Sequence, residues 1–73
     1  MVRTVLDQEM IGRVGRVTAV VGPGHLGEVM IAVRGGSEAF HAYSSNPGET
    51  IPKGVRVVVV EYFPPRTVVV SQA

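Results

Sequence analysis

The chain contains no cysteine. That excludes a disulfide staple, a thiolate metal ligand and a thiol nucleophile. Leucine occurs only at Leu6 and Leu26, too sparsely for a helical bundle, which leans on Leu, Ala, Glu and Lys. Excess charge is also missing. Seven basic and six acidic residues leave a net charge of +1, which gives no strong overall field to gather nucleic acid or an anionic membrane. The longest apolar stretch is Val57–Val60, far short of the roughly 20 residues needed to cross a bilayer. The opening Met1-Val2-Arg3-Thr4 lacks the apolar segment of a secretory signal.

What is present points to strands. With 73 residues the chain makes one domain, and a domain this small depends on a dense core or on partners. Apolar residues make up 45% of it, much of that valine, and Val stiffens χ1 in a way that suits a pleated surface. Nine glycines and five prolines supply the punctuation of a turn-rich β fold.

Residues 1–10 read as a flexible or short helical lead-in, and 11–73 as the folded domain. The pattern predicts a first strand over 11–21, with Val17, Ala19 and Val21 alternating against Arg16, Thr18 and Val20. Gly12 and Gly15 mark an early bend or bulge in it. Gly22-Pro23-Gly24-His25-Leu26-Gly27 is a turn. A second strand over 28–34 sets Val29, Ile31 and Val33 on one face, and Gly35-Gly36 reads as a tight hairpin turn. A third strand spans 37–43. Ile51-Pro52-Lys53-Gly54 makes a turn that plugs Ile51 into the core. Strands four and five span 55–62 and 67–71, separated by Phe63-Pro64-Pro65-Arg66. Five short strands with Gly/Pro turns form a closed or nearly closed barrel.

Catalytic chemistry is hard to assemble. The two histidines, His25 and His41, are too few for a usual metal site and read as partly exposed surface residues. Carboxylates stand singly, and no nucleophile-elbow motif occurs. The run Gly22–Gly27 matches a phosphate-binding glycine pattern, but a strand follows where the motif needs a helix N-terminus. Lys53 sits in a turn, as in lipoyl carrier domains, but with Pro52 and Gly54 as flanks. The reading is a protein that is not an enzyme and carries no cofactor.

Two surfaces are candidates for binding. One is apolar. Strands four and five hold more apolar residues than one small interior accepts, and an exposed apolar patch signals an interaction surface. Val58, Val60, Tyr62 and Val68 are the candidate protein-contact face, unless the arm residues Val5, Leu6 and Met10 cover it. The other is Arg34, His41 and Tyr43, a basic and aromatic set suited to single-stranded nucleic acid, although such modules are usually more basic overall.

Several stretches then resemble a known family. Ile11-Gly12-Arg13-Val14-Gly15, Gly27-Glu28-Val29-Met30-Ile31, the Gly35-Gly36 hairpin before Phe40-His41-Ala42-Tyr43-Ser44, and Ile51-Pro52-Lys53-Gly54-Val55-Arg56-Val57-Val58-Val59-Val60 are similar to the C-terminal soluble domain of NfeD-like proteins. The resemblance covers residues 11–71. It implies an all-β fold, a five-stranded OB-fold-like small barrel without the usual helix between strands three and four. It also implies a protein–protein interaction module on the cytoplasmic side of a membrane-associated complex, with stomatin- or flotillin-type scaffold proteins as partners. One departure is His41, where the family often has an acidic or hydroxyl residue. The other is the lack of a spanning segment in these residues, so the chain reads as an excised domain or a short free-standing relative.

Overall fold

The computed structural model describes residues 9–33 and 35–73. Five strands form in the expected order: β1 (Val14–Ala19), β2 (Gly27–Val33), β3 (Gly36–Ser44), β4 (Arg56–Phe63) and β5 (Thr67–Gln72). They close into a barrel in the order β1-β2-β3-β5-β4. All pairings are antiparallel except β3 with β5, which is parallel. This is an OB-fold-like five-stranded Greek-key barrel. No helix intervenes between β3 and β4.

The first strand is shorter than its pattern predicts. Ile11 and Gly12 form a turn, with Gly12 at φ +91°. A bulge between Val17 and Ala19 then pairs Ala19 with Glu28, taking it off the Val17 face. Only one of the two hairpin glycines lies in the turn. Gly36 already pairs with Val33, and Gly35 alone takes a positive φ, +79°. Met10 is helical and buried at one end of the barrel; Val5 and Leu6 lie outside the described residues.

The interior is what the alternation of small aliphatics dictates. Val17, Val29, Ile31, Phe40, Ala42, Val57, Val59, Val68 and Val70 point inward, joined by Val21 and Ile51. Val21 and Ile51 exchange backbone hydrogen bonds of 3.0 and 2.7 Å. That isolated bridge carries Ile51 into the core from the β3–β4 connection. Gly27 is required by close approach: a Cβ there would lie 2.7 Å from the Ala42 carbonyl oxygen and 2.9 Å from Val21 Cα. No such contact exists at Gly36, whose nearest neighbour would be 4.0 Å away.

The tip of the β2–β3 hairpin extends beyond its pairing with β1 and β5, and two arginines cover the edges left there. Arg13 Nη1 donates to the Ala32 carbonyl at 3.0 Å, and Arg66 Nη1 donates to the Ala39 carbonyl at 3.2 Å. Charged side chains on free edges discourage pairing with another chain.

Candidate interaction surface

The outer wall of the barrel is set by a second bulge. Val59 pairs with Val70 and Glu61 with Val69, so Val60 is an extra residue in β4. Before the bulge, Val57 and Val59 point in while Val58 and Val60 point out. After it the parity is reversed: Tyr62 pairs with the buried Val68 and turns toward the core. A one-residue shift of this kind moves every later side chain to the other face.

The four residues expected to share a contact face are therefore divided. Val58 and Val60 lie on the wall, with Val60 38% exposed. Val68 is 0% exposed and belongs to the core. Tyr62 packs against that core, and its hydroxyl donates to the Pro65 carbonyl at 3.1 Å. Strict alternation through 57–62 hides this, since nothing in a run of valines marks where a strand gains a residue.

Other residues take the vacated places. Val58 lies between Val14 on β1 and Ser71 on β5. Val69, paired with Glu61, connects the wall to Tyr43 on β3. The result is a band of Val14, Val58, Val60, Val69 and Tyr43 on the outside of the barrel. Val14 and Tyr43 are about half exposed, at 45% and 53%. The parity that turns Gly15 and Val17 inward also sends Val14 out, and that signal was available in the sequence.

Two members of the alternative nucleic-acid set can be placed. Arg34 lies outside the described residues. His41 and Tyr43 share the outer face of β3 and are both exposed. His41 stands opposite Glu28 on β2, so an acidic residue shares this face. His25 is remote from His41 in sequence and lies in the exposed β1–β2 loop.

The surface also holds two clefts. One, of about 280 Å3, lies between the Gly22–His25 loop and the Ser44–Glu49 loop, with Tyr43 at its side. Its carboxylate is already committed. Glu49 Oε1 accepts from Ser44 Oγ at 2.6 Å, and Oε2 accepts from Gln72 Nε2 at 2.9 Å. The Ser44 hydroxyl first, then the Gln72 amide, hold the Glu49 carboxyl below its ordinary range. Glu49 thus serves as a fixed acceptor that ties the loop to β5. The other cleft, of about 190 Å3, sits by Met10, Val33, Phe40 and Tyr62, with Arg13 and Glu38 at its rim. Among the described residues no helix is long and apolar enough to cross a membrane.

Comparison with known proteins agrees with this architecture. No curated protein sequence matches the chain. Two solved structures do. The C-terminal domain of stomatin operon partner protein 1510-C from Pyrococcus horikoshii is 37% identical over 92% of each chain, with a TM-score of 0.67. The soluble domain of a membrane protein implicated in regulation of membrane protease activity, from Corynebacterium glutamicum, is 25% identical. That alignment spans 92% of this chain and 98% of the other, with a TM-score of 0.74. The profile of the NfeD C-terminal domain matches residues 14–71. With the five-stranded barrel and the family profile covering the same residues, the chain belongs to the NfeD C-terminal domain family.

Proposed function

We propose that this domain is a non-catalytic protein–protein interaction module of a membrane-associated complex on the cytoplasmic side, and that its partner is a stomatin- or flotillin-type scaffold protein. The observation that carries the reading is the outward apolar band, with Val60 raised on a bulge at its centre and Val58 and Val69 beside it. Apolar side chains gathered on an exterior wall mark a contact surface, and bulges re-aim side chains at functional places. The kinship with a stomatin operon partner protein and with a domain of a membrane protein supports the class of partner. Attachment to the membrane comes through a parent segment or through the partner itself.

The test is calorimetric titration of the domain with the soluble part of a stomatin-type protein. Val60→Glu abolishes the heat of binding while leaving the circular dichroism spectrum and melting temperature in place. Undiminished binding by this variant overturns the assignment of the surface. Salt-sensitive binding to single-stranded DNA, with shift changes centred on His41 and Tyr43, would favour the nucleic-acid reading.

A further inference from the structure

The positive charge of the described residues is not evenly spread. Arg16 on β1 stands directly opposite Arg56 on β4, and both are exposed. Arg16 Nη1 donates to the Gly54 carbonyl at 2.8 Å. That bond draws its guanidinium over the turn that carries the exposed Lys53. Among the described residues no ion pair or side-chain hydrogen bond joins any of the three to a carboxylate: Glu38 pairs with Arg66, Glu28 accepts from Thr18, Glu49 is held by Ser44 and Gln72, and Glu61 lies beyond the bulge of β4. Like charges directly opposite in a sheet are unfavourable, so the barrel tolerates a local cost at this place.

The neighbours of this cluster are apolar and at least partly exposed. Met30 lies across from Arg16 on β2, and Val14 and Val58 follow next along β1 and β4. The patch contains no aromatic ring, so it offers no stacking platform for bases. It lies on the convex outside of the barrel, and neither cleft is lined by any of its residues. A helical acidic peptide needs a groove, whereas a fluid, planar surface meets a convex one. We infer that Arg16, Lys53 and Arg56, with Met30 between their strands and β3, form a docking face for an anionic phospholipid bilayer. The charges meet headgroups and the thioether side chain meets the interface. This face adjoins the protein contact centred on Val60 through Val14 and Val58, but its charged groups lie outside that contact and are tested separately.

Co-flotation of the full chain with vesicles tests it. One set is phosphatidylcholine alone, and the other contains about a third phosphatidylserine. Three basic groups at a surface of that kind give a preference for the anionic vesicles on the order of a hundredfold at low salt, lost as screening shortens the reach of the charges. Arg56→Glu is the decisive variant, because it exchanges a like-charge pair for an opposite-charge pair opposite Arg16. Its melting temperature stays level or rises while vesicle binding falls by roughly tenfold or more. Lys53→Glu with Arg56→Glu removes binding. Val60→Ala trims the apolar protein contact without adding charge and leaves vesicle binding unchanged, which separates this outcome from failure of the protein contact. Equal binding to both vesicle types, retention by Arg56→Glu, or a preference for single-stranded DNA or an acidic peptide over the anionic vesicles would overturn the inference.

Discussion

The ring of Tyr62 meets that of Phe40 edge-on, with centroids 6.3 Å apart and planes at 80°. The contact exists because the bulge at Val60 turns Tyr62 inward over the end of the core. Edge-on aromatic pairs contribute beyond the area they bury. Tyr62→Ala therefore destabilises the domain by about 2–4 kcal/mol. Tyr62→Phe keeps the ring pair, losing only an exposed hydrogen bond to Pro65, and costs at most about 1 kcal/mol. Urea denaturation of both variants measures the difference.

Val60 and Val68 were indistinguishable as valines of a strand pattern, but the barrel separates them. Val68→Ala removes buried volume and costs about 2–3 kcal/mol, while Val60→Ala stays within about 0.5 kcal/mol. Thermal melts of the two variants check this. Equal effects would place Val60 inside the core with Val68.

Gly27→Ala forces a methyl group against the Ala42 carbonyl and the Val21 backbone. Neither neighbour is the flexible end of a side chain, so the expected cost is about 1–3 kcal/mol. Gly36→Ala, on the adjacent strand with open space around it, is the matched control, within about 0.5 kcal/mol of the parent. Chemical denaturation midpoints with unchanged slopes read out both.

The Glu49 carboxyl titrates below its ordinary value of 4.5, chiefly because Ser44 and then Gln72 donate to it. A group with a lowered folded-state pKa contributes stability above its unfolded value and loses it as pH falls through the folded one. Glu49→Gln is therefore less stable than the parent at neutral pH. The gap closes as pH falls below the ordinary carboxylate value. Melting temperatures of both proteins across that range give the test, and a gap independent of pH would refute the ionic role.

Much of the fold was legible because the local signals agreed. Alternating valines, paired with glycine and proline at each turn, define five strands without reference to anything distant. Ile51 could be placed in the core from its position ahead of a turn, and the bridge to Val21 bears that out. The contact face was less legible. Its register depended on Val60, and a bulge inside Val57–Val60 has no sequence mark because every residue there has the same side chain.

The sequence by itself determined an all-β chain with a valine interior, no thiol chemistry and a nearly balanced charge. These follow from composition and from a period of two, which are properties of neighbours along the chain. Only the tertiary structure decided which valines face out and where the charges gather. Closure of β1 onto β4 sets Arg16 against Arg56, forty residues apart in the chain. Net charge is a sum and carries no positions, so a chain with a balance near zero still presents a cationic wall. The bulge in β4, fixed by pairing with β5, settles in the same way that Tyr62 turns inward while Val58 and Val60 remain outside, and the alternation of β5 in the closed barrel sends Val68 into the core.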